Sequence, residues 1–170
     1  MTVRLRPASA GDVGWLVALL NGEETEPFLS AGRAFDHDGI AAEVERAERE
    51  PERFGRLIVE VDGERAGVMA FEERSEAHRI ARLGGLAIHP DFRGRPLADE
   101  AAVLLQRLLL DDLGYHRLEL SCYGFNERAI RHAERVGFVR EGVQRRAYLR
   151  HGEWQDAVTF SLLREDLDAC

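Results

Sequence analysis

From residue 2 to residue 7 the chain alternates, with Val3 and Leu5 set against Arg4 and Arg6, which predicts a strand with one buried face. The period then changes. After Ser9, a residue suited to capping, Val13, Leu16, Val17 and Leu20 recur at helical spacing and predict a helix over 10–21. Residues 22–39 carry no period and begin acidic, and a charged helix over 40–50 stops before Pro51. Strands over 56–61 and 65–72 flank Asp62-Gly63-Glu64, a hairpin turn. A further strand, 79–88, precedes a long helix over 97–113, with Ala101, Leu104, Leu105 and Leu108 on one stripe and Val103, Leu110 and Leu113 on another. A strand over 117–122 leads to a helix over 127–136 that Gly137 ends. Strands over 139–149 and 154–163 close the chain as a hairpin across His151-Gly152. No repeat or linker interrupts this order. It specifies one α/β domain over residues 1–170, a mixed sheet flanked by about four helices.

Composition narrows the function. Hydrophobic residues make up 45% and charged residues 32% of 170, the balance of a water-soluble globular domain. No apolar run reaches the ~20 residues of a membrane span, and the first residues lack a signal-peptide core, so a cytoplasmic protein without membrane partners is expected. Cys122, inside a predicted strand, and Cys170 form neither a disulfide framework nor a metal-ligand spacing, and no metal is expected. The net charge of −8 argues against nucleic acid as a partner and favours amine substrates. All 23 basic residues are arginine, a bias of codon usage that nonetheless excludes a lysine nucleophile or Schiff base.

The most informative stretch is 86–98, LAIHPDFRGRPLA. An apolar strand ends at His89-Pro90, an Arg/Gly loop follows, and a helix begins. That arrangement offers backbone N–H groups and a positive dipole end to a phosphate. Downstream stand Asn126-Glu127-Arg128-Ala129 and Gly137-Phe138. Together these segments resemble the GNAT N-acetyltransferases, whose signature is Arg/Gln-x-x-Gly-x-Gly/Ala, then Asn-x-x-Ala and Gly-Phe. The nearest branch is that of the ribosomal-protein-alanine and spermidine acetyltransferases. Leu57-Ile58-Val59-Glu60, Ala66-Gly67-Val68-Met69, Ala77-His78-Arg79-Ile80-Ala81 and Tyr148-Leu149-Arg150-His151-Gly152-Glu153-Trp154-Gln155-Asp156 extend the likeness over nearly the whole chain.

The resemblance implies a mostly antiparallel GNAT-like sheet and acetyl-CoA as acyl donor. The pyrophosphate would rest on backbone N–H groups of Arg93, Gly94, Arg95, Leu97 and Ala98. A backbone N–H from Leu86, Ala87 or Ile88 would hold the oxyanion, and Asn126 would contact the cofactor while also reading as an ordinary N-cap. Pro96 replaces the family's central glycine and cannot donate, though a proline suits the first position of a helix.

Three acid–base positions of the family are changed. Ala133 stands for its tyrosine, Arg82 for its strand glutamate and Ala129 for its serine. Replacement catalytic groups are Glu72 and Glu73, together with Tyr123 as a hydroxyl near the thioester; Glu119, His78 and His89 are further titratable groups. Glu24, in the acidic run with Glu23 and Glu26, is a candidate substrate contact, as are Arg82 and Trp154. At pH 7 an alkyl amine of pKa ~10.4 is neutral about once in 2,500 molecules, and an α-amine of pKa ~7.7–8.0 about once in ten. A site short of a base therefore favours a peptide N-terminus or an α-amine on a small molecule. The expected activity is acetyl transfer to a primary amine by a monomer or homodimer. The alternative is a weak or silent acyl-CoA-binding regulatory module.

Overall fold

The computed structural model describes residues 1–29 and 34–168; the Cys170 thiol and residues 30–33 of the aperiodic segment lie outside the described residues. Seven strands form one sheet: β1 (Val3–Pro7), β2 (Phe54–Val61), β3 (Glu64–Ser75), β4 (Ile80–Ile88), β5 (Arg117–Tyr123), β6 (Val139–Arg150) and β7 (Glu153–Leu163). Their order is β1-β2-β3-β4-β5-β7-β6. Neighbours are antiparallel except β4 and β5.

Helices cover both faces. α1 (Val13–Leu20) and α2 (His37–Arg49) bury Leu16, Leu20, Ile40 and Val44 against Ile58, Val68 and Ala87. α3 (Leu97–Arg107) and α4 (Glu127–Arg135) bury Leu97, Ala101, Leu105 and Ala133 against Leu57, Met69, Leu83, Leu118, Phe160 and Leu162. Alternation along the strands explains the division: Leu57, Val59, Met69, Phe71, Ala81 and Leu83 face α3 and α4, and the register shift in β4 then turns Ala87 to the other face.

Several boundaries differ from the periodic reading. Residues 10–12 form a 3₁₀ turn rather than the first turn of α1. Asp12 is buried there, its carboxylate accepting two bonds from Arg6 (2.7 and 3.0 Å) and two from the Ser9 amide and hydroxyl (2.8 and 3.0 Å). α2 starts early because the Asp36 carboxylate caps the Gly39 amide at 2.6 Å. α3 ends at Arg107 and continues as a π-type turn, Leu108–Asp112, closed by the Leu113 amide on the Leu108 carbonyl at 2.9 Å, with Leu109 and Leu110 both buried. A short α5 (Arg164–Asp168) has no counterpart in the apolar pattern.

Gly67 positions β4. A Cβ there would lie 2.6 Å from the Ala87 carbonyl oxygen and 2.8 Å from Ile88 Cδ1. Gly67→Ala is therefore expected to push β4 outward and cost about 1–3 kcal/mol of stability. Urea denaturation checks this, and a variant as stable as the parent would contradict it.

Candidate active site

β4 and β5 pair at three positions only, Ile80, Ala81 and Arg82 against Arg117, Leu118 and Glu119. Beyond these the strands part. The cause lies on the β3 side of β4, where Val68 faces Ala87 but Ala70 faces Gly84, so β4 holds one residue more than its partner. Such a bulge bends and twists the strand that carries it. The result is a wedge open toward Ile88 and Tyr123, with the sheet hydrogen bonds of its walls unmade.

The His89 amide bonds the Ala66 carbonyl at 2.8 Å. By alternation, the Ile88 amide and carbonyl then face the gap, and Ala87 faces β3. Of the three backbone groups expected to hold an oxyanion, Ile88 is thus presented to the wedge, Leu86 shares its parity, and Ala87 does not.

The chain next turns through Pro90–Phe92 into the loop before α3. Arg93 does not offer its amide to a phosphate as expected, because that N–H bonds the Pro90 carbonyl at 3.2 Å, and its side chain does not project freely. Its Nε donates to the Ile88 carbonyl at 3.2 Å and its guanidinium to the Glu24 carboxylate at 2.8 Å. Glu24 is therefore an anchor for the segment after α1. Gly94 adopts φ +79°, which directs the chain to a helix start where Pro96 is the N-cap with φ −71°. The first i→i+4 bond runs from the Glu100 amide to the Pro96 carbonyl at 3.0 Å. The amides of Leu97, Ala98 and Asp99 precede it and have no intrahelical acceptor, which leaves them for an anion. The Arg95 guanidinium stands 5.6 Å from the centroid of the Phe92 ring.

Two helices flank this loop and are tied together. Asp99, in the first turn of α3, bonds His132 Nδ1 at 2.7 Å and receives two 2.9 Å bonds from Arg135, both on α4. Chiefly through the Arg135 bonds, with help from His132 and against burial, its pKa falls to about 2. Asn126 caps α4, its side-chain oxygen accepting from the Ala129 amide at 3.1 Å. Ala133, where the family carries a tyrosine, is buried in the core.

On the opposite face of the sheet, a hydrogen-bonded triangle sits where the wedge begins. Arg82 donates to the Ser121 hydroxyl at 2.9 Å and to the Tyr148 hydroxyl at 2.8 Å, and those hydroxyls are 2.8 Å apart. Tyr123 lies further along β5 on the same face, stacked on Phe125 (5.0 Å) and edge-on to Tyr148 (5.7 Å). Its hydroxyl donates to the Leu29 carbonyl at 3.3 Å, and burial raises its pKa, so it stays protonated and is a proton donor rather than a base. Arg150 covers both rings.

The remaining candidates stand elsewhere. Glu72 is opposite Arg82 in register but pairs with Arg46 of α2 at 2.9 Å. Glu73 points to the α3 face at the closed end, near the Tyr115 hydroxyl (3.4 Å), Arg53 and Arg79 (3.7 Å each). Seven strand positions, roughly 20 Å, separate its register partner Ala81 from Ile88. Glu119 is opposed by burial yet held below the usual carboxylate range by bonds from Arg117 and Arg74. Trp154 lies on the α4 side of the β6–β7 hairpin, in a groove of ≈ 430 Å³ with Phe125, Ile130 and Val158, away from Arg82 and Tyr148. Burial pushes the Cys122 thiol up to about 11, which leaves it un-ionised and a poor nucleophile at neutral pH.

Ser121, Tyr148 and Arg150 were not singled out as site residues in the sequence. Ser121 was accessible in principle, since it shares the period-2 face of Tyr123. Tyr148 and Arg150 take their face from the His151-Gly152 turn, which pairs them with Gln155 and Glu153 of β7.

Residues 2–139 match the acetyltransferase (GNAT) domain. The chain is 27% identical to the spermidine N(1)-acetyltransferase of Escherichia coli K12, over 96% of this chain and 87% of that protein. Its fold is shared with spermidine N-acetyltransferase from Vibrio cholerae in complex with CoA and spermine, at a TM-score of 0.87, 21% identity and 96% coverage of both chains. It is also shared with RimL, a ribosomal alpha-N-protein acetyltransferase in complex with coenzyme A, at 0.84 and 18% identity, over 96% of this chain and 94% of that one.

The tie between α3 and α4 makes a pH-dependent contribution to stability. Asp99 has a depressed pKa in the folded state, so its stabilisation is complete above the unfolded value of ~3.9 and is lost as pH falls through about 2. Denaturation midpoints of the parent and of Asp99→Asn are expected to differ by a constant amount above pH ~5 and to converge between pH ~4 and ~2. A gap that stays constant down to pH 2 would contradict this account.

Proposed function

The chain belongs to the GNAT acetyltransferase family, and we propose that it transfers the acetyl group of acetyl-CoA directly to a primary amine. The observation that carries this reading is the wedge between β4 and β5, which opens beside the free amides of the α3 N-terminus.

In this reading the Gly94–Ala98 loop and the α3 dipole hold the pyrophosphate, with Arg95 adding charge at the surface. The acyl arm lies between the parted strands. The Ile88 amide, fixed by the neighbouring His89–Ala66 bond, donates to the thioester oxygen as it gains charge. Tyr123, protonated and beside the gap, is the donor available to the departing thiolate. The un-ionised Cys122 thiol and the absence of lysine both favour direct attack over an acyl-enzyme. The leaving thiol, with pKa near ~8.5, asks little of an acid, so the tyrosine missing at Ala133 costs less than a missing base.

No carboxylate chosen in the sequence stands free at the mouth of the wedge, since Glu72, Glu73 and Glu119 are each engaged by arginine. The acceptor must then arrive largely neutral on its own account. That favours an α-amine, on a small molecule or a peptide N-terminus, over the alkyl amines of a polyamine. The relatives named above span both kinds of acceptor, a spermidine acetyltransferase and an alpha-N-protein acetyltransferase.

Calorimetric titration with acetyl-CoA, followed by thiol release over a panel of amines, tests the proposal. Binding with turnover is expected; binding without turnover on any amine would leave only the silent-module alternative, and no binding would overturn both. Gly94→Val is expected to weaken acetyl-CoA binding roughly tenfold, because a β-branched residue at φ +79° costs on the order of 1–2 kcal/mol. Unchanged affinity would remove the loop from the binding site.

A further inference from the structure

Two arginines on the acceptor face have no acid to hold. Arg82 bonds only the neutral hydroxyls of Ser121 and Tyr148. Arg150 lies over the rings of Tyr123 (6.0 Å) and Phe125 (5.4 Å), and its Nε is the one buried side-chain nitrogen or oxygen among the described residues without a hydrogen-bond partner. Neither forms an ion pair with a carboxylate among the described residues; Arg82 is exposed and Arg150 half-buried, and other half-buried arginines, Arg6, Arg93 and Arg117, are each paired. The register partners of Arg82, Glu72 and Glu119, are held by other arginines, Arg46 for the first and Arg74 and Arg117 for the second, and Glu26 pairs with His151 at 3.7 Å.

The two guanidinium groups belong to one cluster. Tyr148 takes the Arg82 bond through its hydroxyl and meets the Tyr123 ring edge to face, and Arg150 lies 6.0 Å from the centroid of that ring. Arg82 leans from its register partner Glu119 toward Ser121, two positions nearer the open end. Arg82 thus stands where the wedge begins, six strand positions before Ile88, and Arg150 lies beside Tyr123 further along the same face.

A buried donor left unmatched is costly unless a ligand completes it, and a planar guanidinium is matched best by a carboxylate. We propose that Arg82 and Arg150 form an anion subsite that selects amines bearing a nearby carboxylate, either the α-carboxylate of a free amino acid or an acidic side chain next to a peptide N-terminus. This rests on the acetyl-transfer reading for its chemistry.

The test uses acceptor pairs that differ only in that charge. L-alanine is compared with L-alaninamide, and the peptide Ala-Glu-Ala amide with Ala-Gln-Ala amide, by thiol release with acetyl-CoA. The parent is expected to prefer the carboxylate member of one pair by about tenfold or more in kcat/KM. The pair that responds identifies the source of the carboxylate. The alanine pair is a stringent arm, because the amide has the less basic amine and so the larger neutral fraction. Arg82→Gln and Arg150→Gln should each erode the preference and together abolish it, while Arg150→Lys should retain part of it.

Equal rates within both pairs, or a preference that survives the double substitution, would overturn the subsite while acetyl transfer stood. Should no amine release thiol, the subsite is read by titrating N-acetylalanyl-glutamate and N-acetylalanyl-glutamine, each as its C-terminal amide, into the CoA complex. Tighter binding of the glutamate compound in the parent, lost in the double variant, supports it; equal affinity overturns it.

Discussion

Everything the site offers depends on a pairing that stops. Parallel β4 and β5 stay in register for three residues and then separate, because an additional residue in β4 bends that strand away. A sheet that remained paired would satisfy those backbone groups internally and leave no slot. Unmade ladder bonds in a sheet interior are costly, so the parted walls must be held by other means.

Those means are ionic and aromatic rather than apolar. Arg93 joins the end of β4 to the segment after α1 through the Ile88 carbonyl and Glu24. Asp99 joins the start of α3 to α4 through His132 and Arg135. Ser121 and Tyr148 hold Arg82 across β4, β5 and β6 where the gap begins. Each bond is modest where solvent reaches it. Their value is positional, since together they fix the two edges of an opening that no core could fill without closing it.

The sequence disclosed the architecture better than the site. Alternation in β1, the Asp62-Gly63 and His151-Gly152 turns, and the Gly137 stop located elements because each is a local rule of backbone geometry. Helix starts shifted where a carboxylate decided them: Asp12 tightened the turn before α1, and Asp36 advanced α2. The loop of Arg93, Gly94 and Pro96 was legible as an anion-binding helix start, yet Arg93 proved to be an anchor, because its partners lie 5 and 69 residues away. Glu72 and Glu73 looked equivalent in sequence. The strand period puts them on opposite faces, and neither is free. Arg150 was placed by the His151-Gly152 turn, but its approach to the Tyr123 and Phe125 rings is a tertiary contact that no local rule supplies.

The all-arginine composition has a chemical consequence of its own. Every side-chain cation in these ties is a guanidinium, and the chain contains no ε-amine at all. Activated thioesters acylate neutral amines wherever they find them, and a lysine beside a bound thioester would be a standing target. Guanidinium groups keep their proton across the physiological range and are not acylated under those conditions. The protein's charge network is thus inert toward the thioester donor of its family.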